Sequence, residues 1–132
     1  MSARSLNPDG LPQPAGPYVH VTTSPPGELV FVAGQISLDA DGNVVGAGDI
    51  EAQTRQVMEN LGIALAAVGA GFSDVRKINT YILDVGEYPK VAPIREEYLS
   101  EPYPASTMVQ VSALLFPELL IEIEAIAVVQ PG

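Results

Sequence analysis

The stretch "LLIEIEAIAVV", residues 119–129, decides the fold. Isoleucines and glutamates alternate with the period-two signature of a strand. Beyond Glu124 both alternating registers become apolar, through Ala125, Ile126, Ala127, Val128 and Val129. A strand that is apolar on both sides cannot leave one face of its sheet in water.

Working outward, "ASTMVQVSALL" (105–115) reads as a neighbouring strand, set off by the turn residues Pro102 and Pro104. "YVHVTT" (18–23), "LVFVAGQISLD" (29–39) and "DVRKINTYILDV" (74–85) read as three more. Gly34 interrupts the second of these, and a glycine inside a strand marks a bulge or a close backbone approach. Between them the period changes. Over 49–71, Val57, Met58, Leu61, Ala64, Leu65 and Val68 recur at helical spacing. Asp49 is placed to cap the start of that helix, and Gly69 or Gly71 its end. Residues 86–100 form a shorter helix with Val91, Ile94 and Tyr98 on one side. Pro89 and Pro93 are expected near its start, because an interior proline costs about 3 kcal/mol. Residues 1–16, rich in Pro, Gly, Ser and Asn, read as a loop or arm.

The order is ββαβαββ, in a single domain over 1–132: an α+β chain with a mainly antiparallel sheet. Two helices cover one face of such a sheet, and no element remains for the other. Another subunit is therefore expected there, which makes the protein an obligate oligomer with sites between chains.

Composition excludes several functions. Sixteen acids against six bases give a formal charge of −10, and only Arg76 and Lys77 are adjacent. Nucleic-acid binding needs a basic stripe, so none is expected. There is no cysteine and one histidine, His20, which leaves no metal-ligand spacing. "GAGD" and "GAGF" lack the rest of a phosphate-binding fingerprint. No apolar run is long enough to span a membrane, and MSARSLNPDG lacks the apolar core of a signal peptide. A cytoplasmic protein without membrane contact is the expectation.

Several stretches together carry a resemblance: "AGPYVHV", "VFVAGQISLDADGNVV", "DIEAQTRQVMENL", "VRKINTYILDVGEY", "YPAS" and "IEIEAIA". In this order, from about residue 13 to 129, the chain resembles the RidA/YjgF family, also called endoribonuclease L-PSP. The resemblance implies a chorismate-mutase-like fold of the bacillus type, with a mainly antiparallel mixed sheet and two helices on one face. It also implies a homotrimer with a central sheet barrel and three inter-subunit clefts. The implied activity is hydrolysis of enamine or imine intermediates to a carbonyl compound and ammonia, without a cofactor. The implied ligand is a small molecule bearing a carboxylate.

Carried over residue by residue, the family's Gly-Pro-Tyr tyrosine is Tyr18. Its Ser-Gly-Gln becomes Ala33-Gly34-Gln35, and its glutamate of the last strand, which activates water, is Glu122. Two side chains are replaced. The clamping arginine of Pro-Ala-Arg-Ser is Ser106, followed by Thr107 and Met108, which would line the cleft with it. The asparagine after Val91 is Ala92. Arg95 lies three residues after Ala92 on the same helix face, so it is the candidate replacement clamp. The competing reading makes Arg95 a surface residue paired with Glu96, Glu97 or Glu101. For Glu122 the competing reading is an outward side chain paired with Arg76 or Lys77, and Glu124 is expected on the opposite face from it. For Tyr18 the competing reading is a packing aromatic with its hydroxyl satisfied, and His20 reads as a satisfied structural histidine. A serine nucleophile at Ser106 is disfavoured for want of a nearby base. The functional alternatives are a RidA-like deaminase with a diverged pocket and a non-catalytic trimeric metabolite-binding protein. The −10 charge argues against a ribonuclease.

Overall fold

In the computed structural model, which describes residues 3–130, the strands and helices follow the expected order with one addition. They are β1 (Arg4–Leu6), β2 (Val21–Thr23), β3 (Glu28–Gln35), α1 (Ile50–Ala66), β4 (Val75–Ile82), α2 (Tyr88–Tyr98), β5 (Ala105–Gln110) and β6 (Ile121–Val129). The termini of the predicted 1–132 domain, residues 1–2 and 131–132, lie outside the described residues. Among the described residues no helix is long and apolar enough to cross a membrane.

The main sheet has the order β3-β6-β4-β5. β6 is antiparallel to both its neighbours, whereas β4 and β5 are parallel, joined by the α2 crossover. Helix α1 begins where Asp49 accepts hydrogen bonds from the backbone of Glu51 and Ala52. It ends at Ala66, short of the predicted 71, because Gly69 turns the chain at φ 75° and Ala70 bonds back to the Leu65 carbonyl. Val57, Met58, Leu61 and Leu65 are fully buried against Ile78, Ile82, Ile121 and Ile123 of the sheet. In α2, Pro89 sits in the first turn as expected, but Pro93 lies inside the helix. Its exposed position keeps the ring off the core, and Val91 and Ile94 still reach the sheet side.

The arm is not only loop. β1 pairs antiparallel with β2, and polar residues pin it: Ser5 donates to the Tyr103 carbonyl, and Asn7 accepts from the His20 backbone. The predicted 18–23 strand shortens accordingly, since Val19 forms an isolated parallel bridge to Ala105 instead of joining β2. The strand predicted over 29–39 stops at Gln35, where Asn60 of α1 captures the Ile36 and Leu38 carbonyls.

The helices cover one face of the sheet. The other face carries Leu29, 59% exposed, and Phe31, 72% exposed, with Val109 and the half-buried Ile126 and Val128. These are the second apolar register expected from "IEIEAIAVV", and in the single chain nothing lies over them.

Candidate active site

The uncovered face holds the glutamate. β3 is irregular between Val32 and Gln35, placing Ala33 and Gly34 where the partner β6 supplies one residue. Gly34 there lies against Glu122: a Cβ built on it would sit 1.9 Å from Oε2. The in-strand glycine thus marks both a bulge and a close approach. Burial pushes the Glu122 carboxyl up from its ordinary value, and the Glu124 carboxylate adds to the rise.

Glu124 is not on the opposite face. Residues two apart in a strand share a face, and Glu122 and Glu124 are two apart. Both alternate with the buried Ile121, Ile123 and Ala125. Glu124 accepts a short hydrogen bond from the Tyr81 hydroxyl and a long one from Asn79. Neither expected basic partner reaches Glu122: Arg76 donates to the Ser73 carbonyl, and Lys77 donates to Thr107 at 2.9 Å.

The second group lies on the helix side of β5. Arg95 is only 2% exposed. Its Nη2 donates to Ser106 Oγ at 3.1 Å, and its Nε is buried without a partner. Ion pairs among the described residues join Arg55 to Glu97 and Lys90 to Glu87, and none involves Arg95. The reading of Arg95 as a surface residue paired with an acid is therefore overturned. The physical cause lies in α2: Val91 and Ile94 must face the core, which rotates position 95 inward. Desolvation lowers the Arg95 pKa, partly offset by the Tyr88 hydroxyl. A guanidinium in this state has paid desolvation without the attraction that normally offsets it.

Tyr88, Ala92 and Arg95 occupy positions i, i+4 and i+7 of α2, one face. Tyr88 reaches across to the 16–18 segment, so close to Gly16 that a Cβ there would lie 1.7 Å from its hydroxyl oxygen. Tyr18 is half-buried beside it and stacks edge-on with His20 at 6.2 Å between ring centres. His20 Nε2 is satisfied by the Pro12 carbonyl at 2.8 Å, as expected of a structural histidine.

The predicted residues thus fall into two sets. Tyr18, Ala92, Arg95 and Ser106 gather around the helix side of β5. Ala33, Gly34 and Glu122 gather on the uncovered face. Thr107 points to that face as well, whereas Met108 packs against the core. The sheet lies between the two sets, so one chain does not unite them. Among the described residues no three His, Cys, Asp or Glu side chains cluster as metal binding requires. Sequence reasoning passed over Tyr88, Tyr81 and Asn79. Tyr88 was legible from its helical spacing to Ala92 and Arg95, and Tyr81 and Asn79 from their period-two alternation with the core residues of β4.

The sequence profile of endoribonuclease L-PSP matches residues 10–129. A RutC family protein of Pyrococcus horikoshii is 40% identical over 119 residues, 90% of this chain and 92% of that protein. A protein named 3-aminoacrylate deaminase RutC, from Acinetobacter baylyi, is 38% identical over 127 residues, 96% of this chain and 98% of its own. The crystal structure of the Rid family protein YyfB of Yersinia pestis superposes with a TM-score of 0.89 at 34% identity, covering 98% of this chain and all of that one.

Proposed function

The chain belongs to the RidA/YjgF (endoribonuclease L-PSP) family, and from that premise we propose that it is an imine/enamine deaminase acting on a small carboxylate-bearing substrate. The active unit is a homotrimer, whose clefts join the Arg95 set of one subunit to the Glu122 set of the next. The observation that carries this reading is the Arg95 guanidinium, buried with no acid and meeting Ser106. Ser106 stands where the resemblance places the family's arginine. The charge is retained while its origin moves from strand to helix. A buried cation lacking a carboxylate is completed by a ligand that brings one.

The chemistry follows from the groups. The protonated imine carbon is electrophilic, and the substrate carboxylate rests on Arg95. Glu122, its affinity for protons raised, takes a proton from a water as the oxygen–carbon bond forms. That proton passes to the nitrogen of the tetrahedral intermediate. As the carbon–nitrogen bond breaks, Glu122 takes the remaining hydroxyl proton, the carbonyl forms, and ammonia and a 2-oxo acid leave, the proton on Glu122 going to the departing ammonia as ammonium. The deaminase name of the Acinetobacter baylyi relative supports the reaction class.

The test generates 2-imino acids in situ from alanine and leucine with an amino-acid oxidase, and traps the remainder with semicarbazide. The protein is expected to speed imine loss, and Glu122→Ala to abolish the effect. Arg95→Met is expected to lower turnover by roughly 10- to 100-fold, the weight of a hydrogen bond to a charged group. It should hold or raise thermal stability, because an apolar side chain replaces an unpaired buried charge. Wild-type turnover in Arg95→Met would reject the relocated clamp. No acceleration by the folded wild-type protein would leave a non-catalytic binding protein.

A further inference from the structure

Arg95 does not present a free fork to a ligand. Of the five guanidinium N–H groups, the one on Nε is sealed inside the protein and one on Nη2 is committed to Ser106. The side-on edge that pairs Nε and Nη2 with two carboxylate oxygens is closed. That leaves Nη1 and the second N–H of Nη2 for a carboxylate, whose outer oxygen needs another donor.

One side chain stands in the place to supply it. Tyr88 lies on the same face of α2, with only the small Ala92 between it and Arg95. Its hydroxyl is brought against Gly16, where any larger residue would push it away. Among the described residues no side-chain hydrogen bond engages this hydroxyl, and its electrostatic neighbours are Arg95, Tyr18 and Glu96. Burial holds it protonated, hence a donor at neutral pH.

We propose that Tyr88 is the second carboxylate-binding residue of the site: its hydroxyl donates to one substrate oxygen while Arg95 holds the other. In this reading the carboxylate sits over Ala92, between the two donors. Glycine at position 16 is then a specificity device, kept free of a side chain so that the tyrosine hydroxyl can stand there. This inference rests on the deaminase reading, which supplies the carboxylate.

The experiment compares wild type, Tyr88→Phe, Gly16→Ala and the double variant in the in situ imine assay. Pyruvate and 4-methyl-2-oxopentanoate, the products, serve as competitive probes of the carboxylate site. Tyr88→Phe is expected to raise KM and the inhibition constants of both probes about tenfold with little change in melting temperature. Gly16→Ala, which displaces the hydroxyl, should give a similar loss in wild type and little further loss in Tyr88→Phe. Unchanged KM and inhibition constants in Tyr88→Phe, with Arg95→Met strongly impaired, would overturn the role of Tyr88 while leaving the deaminase reading in place. Tyr88→Phe and Arg95→Met both without effect would overturn the carboxylate-binding roles of both side chains, whereas no acceleration by the folded wild-type protein would overturn the deaminase reading itself. Full additivity of Gly16→Ala with Tyr88→Phe would also overturn the role of Tyr88, since the two changes would then act on separate things.

Discussion

Replacing Gly34 by alanine is expected to disable the site without disturbing the fold. Gly34 is not among the residues with positive φ, so alanine fits the backbone there without strain. The new Cβ would stand 1.9 Å from Glu122 Oε2, 2.8 Å from Cδ and 3.0 Å from Cγ. Ordinary contact begins near 3.4 Å, so the carboxylate must retreat by roughly 1.5 Å, through rotation of a flexible side chain rather than movement of β3 or β6. Misplacement of a reacting group by about 1 Å costs on the order of 100-fold in rate. Turnover of an alanine-derived imine, measured by semicarbazide trapping, should therefore fall about 100-fold. The melting temperature and the assembly state should stay close to wild type. In a Glu122→Gln background the same substitution should have little further effect, because both changes act on one carboxylate. Full activity in a correctly folded Gly34→Ala protein would refute the assignment of Glu122 as the water-activating group. Loss of activity accompanied by loss of the fold would show that the glycine serves packing instead.

Two other outcomes follow from the electrostatics and from the split of the site. Glu122 must be ionised to take a proton, and burial together with the Glu124 charge raises its pKa. Activity should thus fall as pH drops through that raised value, and Glu124→Gln should move the acidic limb of the pH–rate profile to lower pH by removing the repulsion; a limb that stays put or moves up would contradict the coupling. Because the Arg95 and Glu122 sets lie on opposite faces of the sheet, the impaired Arg95→Met and the inactive Glu122→Ala chains should complement. Denatured together in equal amounts and refolded, they should recover about a quarter of wild-type activity, the fraction of clefts with two intact halves in a randomly mixed ring. No recovery, with mixed oligomers verified by mass spectrometry, would place both sets in one chain's cleft.

The local steps were legible because short-range physics sets them. The N-cap at Asp49, the buried stripe of α1, the alternation of β6 and the meaning of Gly34 all depend on neighbours within a few residues. The uncovered apolar face was legible as well, from "IEIEAIAVV" and a count of helices. The shared face of Glu122 and Glu124 was legible in principle, since it is fixed by the strand period alone. The arm has the composition of a loop; its pairing with β2 depends on contacts outside its own stretch, to His20 and to the distant Tyr103.

Sequence by itself established the family and the sheet with helices on one side. Only the tertiary structure decided where the Arg95 charge lies. A long side chain on α2 could have faced either water or β5, and local spacing permits both. The packing of Val91 and Ile94 fixed the rotation of the helix and carried Arg95 inward. Burial then removed the solvent that would have satisfied its charge, and its side-chain hydrogen bond among the described residues is to the Ser106 hydroxyl.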